Sequence, residues 1–292
     1  MDEATGVRAQ LKLWWDMTRP RVLALVLFTG LPVLGLVPGG WPDLSRAAAV
    51  LFGTALAGAA SSTLNAYLER KTDALMARTR NRPLPAAEVA PQQALFLGSF
   101  LTIASTAVLA LVGGWLSALV GLATIAFYVG VYTLWLKPRT PQNIVIGGAA
   151  GATTPFIVEA ALTGGLSYAS FLLFLLIFLW TPPHFWAIAI FRKEEYATAG
   201  FPMMPNVIGD RATRRQSLVY TVLLVAVSLS PVALGMLSPL YGVAALLAGA
   251  WFTASVVHSM KKDDPRQDYR TFRVSIAYLF LLFAAMLIDL AL

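Results

Sequence analysis

Residues 50–73 read VLFGTALAGAASSTLNAYLERKTD. The stretch is apolar and small for most of its length and becomes charged only at its end. A bilayer core takes roughly 20 apolar residues of helix, so the window 46–67 reads as a membrane span. The charged end has an order of its own. Asn65, Glu69 and Asp73 recur every four residues. Each step of four turns a helix by about 400°, so the three side chains share one face and spread over about 12 Å. Pro83 limits how far that helix can continue.

The whole chain follows the same pattern. Of 292 residues, 58% are hydrophobic and 13% charged, with a mean hydropathy of +0.68. Soluble domains carry about a quarter charged residues, so the composition implies an all-α, multi-pass membrane protein. Nine apolar segments are long enough to cross a bilayer: 22–38, 46–67, 92–112, 115–135, 143–163, 167–190, 216–236, 238–258 and 273–291. Gly113-Gly114, Gly164-Gly165 and Ser238-Pro239 read as tight hairpin connections. There is no cysteine, which excludes a disulfide framework, a thiolate nucleophile and a cysteine metal site. Residues 1–21 carry charges throughout and read as no signal peptide; 1–17 is expected to be a cytoplasmic tail. One integral-membrane domain, 1–292, is expected.

Charge sets the orientation. With nine spans, the N-terminal tail and the loops after the even-numbered spans share one side. Of the 22 Lys and Arg residues, Arg46 alone falls on the other. By the positive-inside rule the basic side is cytoplasmic and the C-terminus lies outside. The net charge of +7 therefore reports orientation in the cell membrane rather than a nucleic-acid partner. The two long loops, about 69–90 and 191–215, also lie on the cytoplasmic side, where ordered loops on a rigid scaffold tend to carry function.

An amide and two carboxylates on one helix face offer hard oxygen ligands. Mg²⁺ prefers one or two carboxylates, waters and substrate phosphate. Arg78, Arg80 and Arg82 follow the triplet, and arginines bind phosphate well. The combination implies chemistry on a diphosphate attached to a lipid-soluble group. The plainer alternative is a solvated helix end, with Glu69 paired to Arg70 or Lys71 and Asp73 to Arg70 or Arg78. A second acidic pair, Glu194-Glu195, follows Arg192 and the segment Trp180-Thr-Pro-Pro-His184-Phe-Trp186. Pro182 and Pro183 are expected to break or kink the sixth span, and broken helices at membrane depth line cavities. His184 reads equally as an iron ligand, donor or base and as a buried polar residue bonded to a neighbour. Lys137 and Arg139, and Arg19 and Arg21, read either as diphosphate or carboxylate clamps or as interfacial anchors. Arg270 and Arg273 read as anchors. Glu159 lies toward the outer end of the fifth span, away from the other acids, and is left out of the site.

Several motifs together resemble one family. Asn65-x-x-x-Glu69-x-x-x-Asp73 continuing to Arg82-Pro83-Leu84, Thr18-Arg-Pro-Arg21, Leu136-Lys-Pro-Arg-Thr-Pro-Gln-Asn143, Pro182-Pro-His-Phe-Trp186 and Pro202-Met-Met-Pro205 are similar to the UbiA-type intramembrane prenyltransferases, and among them to the haem-farnesylating branch. The resemblance runs from about residue 18 to the C-terminus. It implies a UbiA-type bundle of nine transmembrane helices around a lateral, lipid-open cavity. It also implies Mg²⁺ held by Asn65, Glu69, Asp73, Glu194 and Glu195. Farnesyl diphosphate and haem b are the implied substrates, within the lipid bilayer, and a haem A synthase-type enzyme is the implied downstream partner. Catalytic roles fall to Asn65, Glu69, Asp73 and Lys137. Substrate contacts fall to Arg19, Arg21, Arg78, Arg80, Arg82, Arg139, Asn143, His184 and Arg192. The family pattern usually has Asp at the position of Glu69, and Glu moves the oxygens outward by one methylene. Val158-Glu159 stands where a Gly-Trp pair is usual. Two alternatives stand beside it: prenylation of an aromatic quinone or chlorin precursor, as the wider family resemblance allows, and a transporter or haem-binding subunit without catalysis.

Overall fold

The structure is a computed structural model and describes residues 3–292. Met1 and Asp2, the start of the expected cytoplasmic tail, lie outside the described residues. The rest of that tail is a helix, α1 (Glu3–Met17), which bends by 54° into α2 (Pro20–Leu36). There follow α3 (Leu44–Asp73), α4 (Pro91–Ala126) continuing as a π-helix (Phe127–Leu136), α5 (Asn143–Gly151) and α6 (Thr154–Thr163). The chain ends with α7 (Tyr168–Phe191), two short helices α8 (Lys193–Thr198) and α9 (Met204–Ile208), then α10 (Asp210–Ala233), α11 (Pro239–Lys262) and α12 (Pro265–Asp289). No strand occurs among the described residues.

Seven stretches are long and apolar enough to cross a membrane, or eight if the bent α1–α2 pair counts as one. One of the seven, Pro91–Leu136, has 46 residues. A straight helix of that length would reach about 69 Å, twice a bilayer core. It is not straight. Gly114 has φ 78°, and the Ser117 hydroxyl donates to the Leu109 carbonyl at 3.0 Å, eight residues back. In a straight helix those residues would be about 12 Å apart. The chain therefore doubles back at Gly113-Gly114, where glycine supplies the left-handed backbone the turn needs.

One expected span is borne out with a break inside it, and one expected break is corrected. The span Asn143–Thr163 is interrupted between α5 and α6, where Pro155 sits in the first turn of α6. Proline lacks an N–H and is at home in a first turn, so the interruption falls just before it. Conversely, Pro182 and Pro183 do not break α7, which runs through both. Their surroundings are buried, and the Thr181 hydroxyl donates to the Ile177 carbonyl at 2.8 Å. Tight packing and hydroxyl donors make such prolines tolerable in spanning helices.

The largest core joins α2, α7, α10, α11 and α12 through Val33, Leu176, Leu224, Phe252, Tyr278 and Phe283, all essentially inaccessible. Small residues let the other helices approach closely. A Cβ on Gly147 would lie 2.1 Å from the Tyr132 ring, and one on Gly148 would lie 2.8 Å from Thr181 Cγ2. The π-helix and α7 thus both rest on bare backbone of α5.

α10, α11 and α12 extend past their apolar windows. A buried ion network, not foreseen from the sequence, holds those extensions together. Arg214 donates through Nε to Asp268 Oδ1 at 3.0 Å and through Nη2 to Oδ2 at 2.6 Å, and it also pairs with Asp263. Ser259 donates to the same Asp268 carboxylate. Removing one partner of a buried pair leaves an uncompensated charge. Asp268→Ala is therefore expected to cost about 3–5 kcal/mol. The check is a thermal melt in detergent, in which an unchanged midpoint would refute a stabilising role.

Candidate active site

The triplet lies where the α3 periodicity puts it. Asn65, Glu69 and Asp73 are 1%, 7% and 1% exposed, on the inward face of the last turns of α3. Each is held by a basic side chain from a different part of the chain. Arg19 Nη2 donates to Asn65 Oδ1 at 2.9 Å. Lys137 Nζ donates to Glu69 Oε1 at 2.5 Å. Arg82 Nη1 donates to Asp73 Oδ2 at 2.9 Å. The local ion pairs that a solvated helix end would make, with Arg70, Lys71 or Arg78, are absent among the described residues.

Each partner is positioned by its own local device. Arg19 sits at the α1–α2 bend with φ 56° and ψ 61°. A residue before proline avoids the right-handed helical region, and the left-handed alternative costs a non-glycine residue of order 1 kcal/mol. The Asn65 bond helps hold Arg19 there. Lys137 ends the π-helix, and its Nζ lies 4.7 Å from the Phe201 ring centre and 5.9 Å from that of Tyr132. Arg82 belongs to the loop after α3. Burial lowers its pKa below the usual guanidinium range, Arg19 and Arg78 add to the lowering, and Asp73 opposes it. The pocket formed by Asp16, Arg19, Asp73, Asn81 and Arg82 thus sets two guanidiniums beside two carboxylates, a lining with groups for both an anion and a cation.

The π-helix contributes directly. The Thr133 hydroxyl donates to the Tyr128 carbonyl, five residues back, at 2.8 Å, and accepts from Asn65 Nδ2 at 3.1 Å. Such wide turns recur at functional sites. Membrane-inward of the triplet, an open cleft of about 120 Å³ runs between α2, α3, α4 and the α5–α6 break. Ser62 and Tyr128 lie at its polar end, and Thr54 and Ile157 lie deeper.

The other sequence candidates are distributed around this centre. Arg21, Arg78 and Arg80 are exposed and make no side-chain hydrogen bond among the described residues. Arg139 turns back to cap the carbonyls of Leu134 and Trp135. Asn143 is fully buried and donates to the Thr140 carbonyl, while its Oδ1 has no partner. Arg192 pairs with Glu195, whose Oε2 is buried without a partner, whereas Glu194 is exposed. Of the two acids, Glu195 is the one turned inward. Glu159 accepts from the Ser167 N–H at 2.9 Å and so caps the start of α7, away from the site.

His184 stacks on Trp180 with ring centres 4.1 Å apart, and its Nδ1 lies 2.7 Å from the Ser275 hydroxyl. That hydroxyl has one proton and gives it to the Phe272 carbonyl at 2.6 Å. Nδ1–H is then the donor to Ser275, and Nε2 keeps its lone pair.

Among the described residues, no three His, Asp or Glu side chains converge closely enough to hold a metal ion unaided. The donor chemistry of the α3 face still suits Mg²⁺. Two carboxylates and an amide are hard oxygen ligands, and water and phosphate oxygens usually complete the shell.

Sequence reading missed Thr133, Phe201, Tyr132 and Asp16. Phe201 had a faint signal, an aromatic between Gly200 and Pro202 in a loop of mixed character. The π-helix that aims Thr133 has none.

The chain as a whole has known relatives. Residues 26–285 match the family described as UbiA prenyltransferase family, and the chain belongs to it. Its more similar relatives are of one kind. A protoheme IX farnesyltransferase of Rhizobium meliloti is 44% identical over 97% of this chain and 90% of its own length. Another, of Symbiobacterium thermophilum, is 42% identical over 94% and 92%. Among solved structures, a digeranylgeranylglyceryl phosphate synthase superposes with TM-score 0.79 at 15% identity, covering 97% of this chain and 99% of that one. A UbiA homolog from Archaeoglobus fulgidus bound to DMAPP and Mg²⁺ gives 0.68 at 17%, covering 93% and 99%. These structural likenesses establish the fold.

Proposed function

We propose that this chain transfers the farnesyl group of farnesyl diphosphate to a vinyl group of haem b and that water addition completes haem O. One observation carries the site assignment: three oxygen ligands on one helix face, each held by a base from a different segment, at the mouth of an apolar cleft. The family membership and the named relatives carry the choice of farnesyl and haem. Nine membrane crossings follow if the bent α1–α2 pair makes one crossing and the two arms around Gly114 each span the cell membrane. The N-terminus and both long loops are then cytoplasmic and the C-terminus external. The cleft serves as the lateral, lipid-open cavity.

Arg19, Lys137 and Arg82 lie in reach of a diphosphate docked on the α3 face, and each can turn from a side-chain oxygen to a phosphate oxygen. Asp73 and Glu69, with Asn65 and the inward Glu195 as further donors, would hold Mg²⁺, which would supply positive charge beside the leaving diphosphate. Preorganised positive charge of this kind is commonly the largest contribution to such a step. As the C1–O bond breaks, farnesyl C1 takes on allylic-cation character. A vinyl carbon of haem bonds to C1, and the cation left on the former vinyl group takes up water and loses a proton. The apolar cleft keeps water from farnesyl C1 before the acceptor arrives. Haem O would then pass to a haem A synthase-type enzyme.

His184, with Nδ1 tied to Ser275 and Nε2 free, is suited to haem, through iron or an edge contact. His184→Ala is expected to weaken haem binding about tenfold. A haem titration unchanged from wild type would remove His184 from the haem site. The overall reading is tested with purified protein, haem b, farnesyl diphosphate and Mg²⁺, followed by mass. A product of haem O mass supports it. Prenylation of a quinone precursor instead, or haem binding without transfer, would overturn it.

A further inference from the structure

We infer that Leu11, Trp15, Arg8 and Lys12 seat α1 on the anionic lipid headgroups of the membrane, and that this seat holds Arg19 and the Arg82 loop in place at the candidate site. The link to activity rests on the proposed transfer reaction, and the seat itself does not.

Polarity is ordered around α1. Counted at 100° per residue from Leu11, the exposed residues between Arg8 and Asp16 fall in one sector: Trp15 at about 40°, Arg8 at about 60°, Lys12 at about 100°, Asp16 at about 140° and Ala9 at about 160°. Leu11 and Trp15 are 57% and 61% exposed. Large apolar side chains bordered by cations mark a helix that lies at a membrane interface, and tryptophan favours that depth. Arg8 and Lys12 make no ion pair among the described residues, and their charge complements headgroup phosphates. The acidic edge belongs to the site, because Asp16 lines the same pocket as Arg19, Asp73 and Arg82. The apolar edge is therefore turned away from the site.

The opposite side of α1 is committed to protein. Met17 is 3% exposed and packs with Ala66, Leu84, Val89 and Ala94, and Leu13 and Trp14 join that cluster. The angle also suits an interface. α1 leaves the axis of α2 by 54°. From Met17 back to Arg8 is about 14 Å of helix, a rise of about 8 Å along α2 at that angle. A headgroup layer is about 5–8 Å deep, so the cationic stretch stays at its level.

The path from seat to site is short. The Thr18 hydroxyl donates to the Trp15 carbonyl at 2.7 Å, and the next residue is Arg19, at the bend and bonded to Asn65 at 2.9 Å. Through Leu84 and Val89 the same helix steadies the loop that carries Arg82.

The chain has no cysteine, so one introduced thiol reports one position. Full-length Leu11→Cys, labelled with bimane, is reconstituted in vesicles of phosphatidylcholine, or of phosphatidylcholine mixed with phosphatidylglycerol. In the mixed vesicles the label is expected to be quenched by brominated lipid and sheltered from iodide. In phosphatidylcholine alone, iodide quenching is expected to rise about fivefold, the weight of one cation at an anionic surface. A label at Ala9 is expected to stay open to iodide in both. Arg8→Glu with Lys12→Glu is expected to lower kcat/KM for farnesyl diphosphate about tenfold in mixed vesicles and less than about twofold in phosphatidylcholine. Trp15→Ser keeps every charge and is expected to release the Leu11→Cys label to iodide, which covers a double variant that fails to fold. A label open to iodide and untouched by brominated lipid in both vesicles would overturn the seat. So would a label shielded from both quenchers with chains cross-linking through the introduced thiol, which would make this face a contact between copies. Activity lost equally in both lipids, or unchanged in both, would overturn the link to the site. If the label follows the lipid while no vesicle yields haem O, the seat stands and the transfer reading falls.

Discussion

Asp73→Asn is expected to reduce farnesyl transfer to haem by at least about a thousandfold in kcat, the scale lost when one preorganised electrostatic partner is removed. The side chain is 1% exposed and accepts from Arg82 at 2.9 Å. Asn fills the same volume but removes the charge that makes this position a ligand for a hard cation. It also leaves Arg82, Arg19 and Arg78 with their mutual repulsion less opposed. The helix end is expected to survive, because the bond from the Thr79 hydroxyl goes to the Asp73 main-chain carbonyl, at 2.7 Å. Activity by mass and a melt in detergent, run side by side, separate chemistry from folding. Near-normal haem O formation by a folded variant would sink the assignment of this carboxylate to the diphosphate site.

Lys137→Met is expected to lower kcat/KM for farnesyl diphosphate about a hundredfold, or about 2.7 kcal/mol of transition-state stabilisation. Methionine keeps the aliphatic length against Phe201 and Tyr132 and removes the ammonium. Glu69, 7% exposed, is then left without its basic partner. Part of the loss therefore reports an unpaired acid rather than a missing phosphate contact. The double variant Lys137→Met with Glu69→Gln distinguishes the two. It is compared with Glu69→Gln alone. If Lys137 acts only through Glu69, the double variant is no worse than Glu69→Gln. If Lys137 also meets the diphosphate, the double variant falls well below Glu69→Gln. A single variant with unchanged kcat/KM would exclude both roles.

The reach of the sequence is clearest on α3. A four-residue recurrence at the end of an apolar helix fixes which face Asn65, Glu69 and Asp73 share, and the helix has little freedom to do otherwise. Their partners were less accessible. Lys137 is 68 residues from Glu69, and Arg19 is 46 from Asn65. Local ion pairing was the plainer expectation, because neighbours in sequence are visible and neighbours in space are not. The hairpin at Gly113-Gly114 was legible because two glycines between apolar runs have few other uses. The continuity of α7 through Pro182 and Pro183 was not, because tertiary packing outweighs a local preference against proline. The Arg214–Asp268 pair depends on the relative register of α10 and α12, which no periodicity within either helix encodes. Glu159, set apart along its span from the other acids, accepts from the Ser167 N–H at the start of α7.

The bare backbone of α5 has a consequence for how this protein tolerates change. The Tyr132 ring occupies the space a methyl on Gly147 would need, and Tyr132 lies on the same π-helix as Thr133, just ahead of Lys137. A single added carbon at 147 would push that helix and carry two polar groups off the α3 face. In a saturation survey scored by product formed, Gly147 would rank beside the charged residues in intolerance, though it meets no substrate. A map of sensitive positions would thus outline the scaffold's closest approaches as sharply as the chemistry.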